Sequence, residues 1–443
     1  MTGVCPVRGT RPVLLCILLG LWSLQAPVAV RADDLDREPI RYATAPADNA
    51  VSRLQRRIDA GEAVLAHEHH FGYLRSLLRE LKVPVSSQGL VFSKTSFQRE
   101  RISPRSPRAV YFGDDAYVGF CQGGEVLEVS AVDPGLGVVF YTLGQRGGGR
   151  PHFVRQTDNC VVCHASSMNQ GFPGHLVRSL YVDEGGLPLL SLGSYRTDHT
   201  SPLGQRWGGW YVTGTSGNQG HLGNLVLKED NPRLPVDNTA GRNVRDLRGR
   251  IRSAGYLAPH SDIVALLVLE HQTEMHNRIA RGTLQARLAL YEEADINKVL
   301  GRAADYRSES TARRLAAAGE AVVQYLLFCG EAALSSPVAG SSDFAREFAA
   351  RGPRNHRGHS LRDFDLRTRL FRYPCSYLIY SPAFDAMPAP VKDHVLRRTW
   401  EVLSSKDASP EYAHLSAADR RAVLEILIDT KPGLPRYWRR PAG

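Results

Sequence analysis

Apolar residues recur at helical spacing from about Val51 to Leu81, where Leu54, Ile58, Val64, Leu65, Phe71, Leu74 and Leu78 share a face. Val83-Pro84 closes that region. The period then shortens. Ala109–Phe112 and Ala116–Phe120 read as strands around Gly113-Asp114-Asp115, and Val126–Val129 and Val138–Tyr141 as two more around Asp133-Pro134-Gly135. Further strands are predicted at Leu176–Val182, Leu189–Tyr195, Gly209–Thr213 and Leu222–Leu227. From about Ser261 the pattern is helical again, with long helices over Asp262–Leu290 and Thr311–Leu334 and shorter ones over Val391–Leu403 and Ala417–Asp429. Ser416 and Asp419 have the spacing of a capping box opening the last. Residues 335–374 read as an arginine-rich loop. The order of elements predicts an α+β protein: a helical N-terminal segment (33–100), a β-rich central region (101–235) and a mainly helical region (236–443).

The first 32 residues are expected to be a cleaved export signal. Arg8 and Arg11 precede an apolar run from Val13 to Leu24, which is short for a membrane span, and Val30-Arg31-Ala32 offers a cleavage site. The protein is therefore expected in the periplasm or cell envelope. Removing that segment takes three arginines and no acid, lowering the formal charge from +10 to +7. The remaining basic surplus suits an acidic redox partner protein and a peripheral contact with the membrane surface. The arginines are scattered and no nucleic-acid motif accompanies them, so nucleic-acid binding is not expected. Five cysteines remain after cleavage: Cys121, Cys160, Cys163, Cys329 and Cys375. An odd number in an exported chain argues against a disulfide framework.

Two of those cysteines carry the most specific signal. Asn159-Cys160-Val161-Val162-Cys163-His164 contains one Cys-x-x-Cys-His. This spacing lets two thiols reach the vinyl groups on one side of a porphyrin while the adjacent imidazole reaches the iron. A zinc site would need a fourth ligand, and a thioredoxin-like dithiol would sit at a helix start after a strand. The motif resembles that of the c-type cytochromes. That resemblance implies one covalent haem c on Cys160 and Cys163, with His164 as an axial ligand of its iron. The wider chain is similar to a group of large, exported, single-haem proteins of unassigned role, through Ser201-Pro202-Leu203-Gly204-Gln205-Arg206-Trp207-Gly208-Gly209-Trp210-Tyr211 and Leu269-Glu270-His271-Gln272-Thr273-Glu274-Met275-His276-Asn277. Strands rather than a glycine- and aromatic-bearing helix lead into Cys160, so the small all-α cytochrome c fold is not expected.

The far side of the iron would separate electron transfer from catalysis. Candidates for the second axial ligand are His221, then His199, then Met275, with His175 as a pocket residue and Met387 in a loop context. Trp207, Trp210 and Tyr211 could pack on the porphyrin, and Arg155 and Arg178 could meet its propionates. His67, His69 and His70 are expected on a polar face of the first helix, with a metal shared by His67 and His70 as the weaker alternative. The function expected is electron transfer by iron redox cycling. The alternatives are a peroxidase- or oxidoreductase-like haem enzyme with an open distal site and a haem-based redox or gas sensor. Replacing His221 with alanine is expected to alter the ferric absorption spectrum, and an unchanged spectrum would remove it from the ligand candidates.

Overall fold

A computed structural model describes residue 1, residues 35–228 and residues 234–439. The leader expected at 1–32 lies almost wholly outside them. The α+β class is observed, with a seven-stranded antiparallel sheet in the middle of the chain and nine helices among the described residues. No helix among these residues is long and apolar enough to cross a membrane.

The N-terminal helical pattern is realised as two helices, Ala50–Asp59 and Leu74–Glu80. They are separated by a loop in which Gly61 and Gly72 take positive φ (76° and 54°), a conformation that ends a helix. His67, His69 and His70 therefore lie in a loop and not on a helix, with His67 Nε2 at 2.9 Å from the Gln145 carbonyl. The first helix is capped by Asn49, whose side chain accepts from the Val51 and Ser52 amides.

The sheet is built from β1 (Gly89–Val91), β2 (Arg108–Phe112), β3 (Ala116–Phe120), β4 (Val126–Asp133), β5 (Gly137–Gly144) and β6 (Phe153–Gln156). A hairpin follows from β7 (Arg178–Leu180) and β8 (Ser194–Arg196), and β9 (Trp210–Tyr211) returns to pair with β1. The order across the sheet is β6-β5-β4-β3-β2-β1-β9. Side chains alternate between faces along each strand. Tyr111, Val118, Val129 and Tyr141 pack with Leu54, Leu74 and Leu77 of the N-terminal helices, whereas Phe112, Tyr117 and Val132 belong to the core of the C-terminal helices. Both faces are thus covered, which explains why the central strands read as nearly continuous apolar runs.

The strand expected over Leu222–Leu227 does not form. Asn224 there has positive φ (68°), and its side-chain amide takes the hydrogen bonds a strand partner would make. It accepts from the Val212 amide (2.9 Å) and donates to the Val212 and Gly241 carbonyls (both 2.8 Å). The predicted 189–195 strand shortens to β8, and 176–182 to β7.

The long C-terminal helix runs from Ile263 to Val299, and its first fifteen residues are buried on every side. It packs on β5, on the helix Glu309–Leu326 and on the helix Phe344–Ala350, the last lying within the stretch read as loop. The second predicted helix stops at Leu326 because Phe328 turns into positive φ (60°). The helices Ala389–Leu403 and Ala417–Thr430 form as predicted, and the Ser416/Asp419 capping box is present.

Asp262 caps the long helix and is fully buried. Its Oδ1 accepts from the Val264 (2.8 Å) and Ala265 (3.2 Å) amides. Its Oδ2 accepts from the Ser341 and Ser342 amides (2.8 Å each) and the Ser342 hydroxyl (2.7 Å). Asp262→Ala is expected to cost about 3–5 kcal/mol, because it removes a cap and leaves several buried donors unpaired. Denaturant unfolding checks this; a loss under about 1 kcal/mol would mean that water replaces the carboxylate.

Candidate functional site: the Cys160–His164 turn and the sheet face behind it

The motif forms a single helical turn, Val161–His164, with Cys160 at its N-cap, and a short turn over residues 157–160 separates it from β6. Cys160 is half-buried and Cys163 exposed, both thiols are free, and Val162 between them is 75% exposed. Burial pushes the Cys160 thiol up to about 11. Among the described residues no three His, Cys, Asp or Glu side chains converge as on a metal ion, the motif trio included.

His164 is held in a defined orientation. Its Nδ1 lies 2.9 Å from the Gly174 carbonyl oxygen. A carbonyl can only accept, so Nδ1 carries the proton and the lone pair is at Nε2. Burial also holds its pKa below the ordinary histidine value. A neutral imidazole whose other nitrogen donates to a backbone carbonyl is the arrangement metal-ligating histidines use. The loop closes on itself at the same point: the His164 carbonyl accepts from the Gly174 amide (3.1 Å) and from Asn169 Nδ2 (2.8 Å).

The long helix anchors that loop. Asn277 Oδ1 accepts from the His175 amide (2.8 Å), and its Nδ2 donates to the His175 carbonyl (2.9 Å). A Cβ on Gly174 would sit 2.5 Å from Asn277 Oδ1 and 3.2 Å from Asn169 Nδ2, so a side chain there collides with the clamp.

Behind the motif lies one row of the sheet. Tyr117, Ser130, Phe140 and Gln156 are directly opposite one another across β3, β4, β5 and β6. The His164 ring lies 4.6 Å from Phe140, the His175 ring 4.0 Å from Tyr117, and His175 Nε2 3.0 Å from Ser130 Oγ. Tyr117 Oη lies 2.9 Å from His276 Nδ1 and accepts from Gln272 Nε2 (2.7 Å). His175 and His276, with ring centres 6.3 Å apart, each keep one buried nitrogen without a partner: Nδ1 and Nε2 respectively. Desolvation drives both well down, His276 to about 3, so both are neutral at ordinary pH. Position and chemistry singled out His175 in the sequence. His276, Tyr117 and Asn277 could be found only by knowing the strand register.

The other candidates fall elsewhere. His199 stacks on Tyr325 (3.9 Å) and its Nδ1 lies 2.9 Å from His271 Nδ1, while His271 Nε2 meets Ser376 Oγ (2.8 Å). His221 packs edge-on to Trp207 (5.3 Å), and its Nδ1 accepts from the Gly223 amide (3.1 Å). Met275 is buried in the helical core, as is Met387. None of these has a hydrogen bond or ring contact to the motif among the described residues. Trp210 and Tyr211 are strand residues paired with β1, and Trp207 is buried core. Arg155 pairs in register with Tyr141, so it lies on the opposite face of the sheet, where its guanidinium donates to the Tyr42 and Ala45 carbonyls. Arg178 donates to Ser194.

The stretches 201–211 and 269–277 meet in space. Arg206 forms a buried ion pair with Glu270 (3.0 Å) and also donates to the His199 and Ser201 carbonyls. No protein-family model, curated protein or solved structure matches the chain.

Gly174→Ala is expected to destabilise by about 1–3 kcal/mol by dislodging Asn277, and to cost less in an Asn277→Ala background. Thermal melts of the four proteins test this, and strictly additive losses would exclude the clamp.

Proposed function

We propose that this protein is an exported c-type cytochrome that carries one covalent haem on Cys160 and Cys163, with His164 as axial ligand, and transfers electrons to or from a redox partner protein. The observation that carries the proposal is the His164 imidazole fixed through Nδ1 to Gly174, its Nε2 lone pair free, beside two unpaired thiols on one turn. A bound haem supplies ferric/ferrous one-electron cycling. The chain's part is to hold the ligand imidazole in one tautomer, to exclude water with Phe140 and the sheet behind it, and to keep the attachment turn at the surface where a partner can approach. Covalent attachment suits a periplasmic or cell-envelope location, where a lost cofactor is not recovered.

One observation favours a haem enzyme as a second reading. His175 and His276 are buried, neutral and each short of one partner, close to the row that touches His164. Such groups can hold or pass a proton near a reacting ligand.

Optical and electron-paramagnetic spectra of the protein made with the cytochrome c maturation apparatus separate these readings. Low-spin six-coordinate haem in both oxidation states is the outcome expected for the carrier; a high-spin species that takes up carbon monoxide or peroxide favours the enzyme. Cys160→Ser with Cys163→Ser is expected to abolish covalent haem in denatured protein. Wild-type protein that carries no covalent haem after such production would end both readings.

A further inference from the structure

Beside the attachment loop, the long helix presents an unbalanced group of arginines. Glu274 is almost fully buried, and both its oxygens are used. Oε1 accepts from Arg278 Nε (2.6 Å), and Oε2 accepts from Arg196 and from Asn277 Nδ2 (3.1 Å). Arg196 also donates to the Met168 carbonyl (2.8 Å), and Asn277 is the residue that clamps His175. The cluster is therefore tied at two points to the loop that follows His164.

Arg281 lies one turn further along the same helix, three residues beyond Arg278 and four beyond Asn277. It is only 6% exposed, and its Nε is buried without a partner. Among the described residues it makes no ion pair and no side-chain hydrogen bond. The charges close enough to act on it are Glu274, Arg278 and Arg196. Three guanidinium groups thus stand near one carboxylate that bonds only Arg278 and Arg196 among them, a surplus of two positive charges in which Arg281 is buried and the other two are partly exposed. An uncompensated buried charge is strongly unfavourable, and guanidinium groups match carboxylates and other oxyanions with paired N–H donors.

We infer that Arg281, Arg278 and Arg196 form a seat for a doubly charged oxyanion beside the haem-attachment loop. The chemistry it recognises is a pair of carboxylates or a tetrahedral oxyanion. Two sources supply it: the two propionates of the haem itself, in which case the inference rests on the reading above, or a free anion from solution. The seat replaces Arg155 and Arg178 as the site for propionates, since Arg155 is on the other face of the sheet and Arg178 is bound to Ser194.

Sulfate is the probe, with chloride at equal ionic strength as control. Thermal melts and calorimetric titration are made on the haem-bearing protein and on the haem-free Cys160→Ala/Cys163→Ala protein. Anything that binds only the folded state raises its melting temperature. Sulfate binding to the haem-free protein alone identifies the propionates as the normal occupant; binding to both forms identifies a free oxyanion. In either case Arg281→Gln is expected to weaken sulfate binding roughly ten- to hundredfold, the worth of one or two charge-assisted hydrogen bonds. If the haem-free protein does not fold, the haem-bearing protein decides through sulfate binding or, without it, through a lower reduction potential in Arg281→Gln. Sulfate that binds neither form, or binds Arg281→Gln as tightly as wild type, together with an unchanged potential, overturns the seat. A chain without covalent haem that still binds sulfate through Arg281 would remove the haem reading and leave the seat standing.

Discussion

The structure depends on the register of the central sheet. Tyr117, Ser130, Phe140 and Gln156 stand in one row across four strands, and three of them meet His276, His175 and His164. Because side chains alternate, a one-residue slip in β4 or β5 would turn Ser130 or Phe140 toward the N-terminal helices and present a residue of the other face to the histidines. The turn between β4 and β5 guards against that slip. Asp133 Oδ1 accepts from the Gly135 and Leu136 amides, and its Oδ2 from the Asp48 amide and Asn49. The same carboxylate thus sets the hairpin register and fixes the start of the first helix. Gly137, at φ 78°, brings the hairpin against the Pro173 carbonyl and Ala280, where a side chain would be tightly fitted and its backbone strained. The sheet, the loop after His164 and the long helix therefore meet at one turn.

What the sequence made legible follows from range. Period and punctuation are local, so the α+β class, the four central strands, the long helix and the Ser416/Asp419 box could all be read. The motif at 160–164 is local as well. The failures are places where a single residue overrides the pattern. Asn224 substitutes its amide for a strand partner, Phe328 turns the chain out of its helix, and Gly61 and Gly72 split a periodic stretch in two. The polar surroundings of His164 were out of reach for a different reason. Asn277 is 113 positions from His164 and His276 is 159 from Tyr117. No periodicity encodes which strand residue will face which turn of a buried helix. Arg155 shows the same limit, since proximity in sequence to Cys160 says nothing about the side of the sheet.

The buried helix has a composition that stability alone does not explain. Between Glu270 and Arg281 it places two carboxylates, two histidines, a glutamine, an asparagine and two arginines in or at the edge of the core. Apolar residues of similar volume would pack there at lower cost, because each charge must be taken out of water. Some of the cost is offset in place. Glu270 has Arg206, although burial still lifts its carboxyl to about 7, and His271 has His199 and Ser376. These pairs join the helix to the segment 199–206 and require one alignment of the two. The unpaired nitrogens of His175, His276 and Arg281 have no such local reason. Glu270 Oε1, one to two turns earlier, and Nε2 of His199, which pairs with His271, are also buried without a partner, so even the paired groups are only partly satisfied. Satisfied and unsatisfied polar groups therefore alternate along the buried stretch, with Glu274 and Asn277 bonded between Glu270 and Arg281, and the helix holds its alignment to the 199–206 segment and to the loop after His164 at a cost in desolvation at both ends.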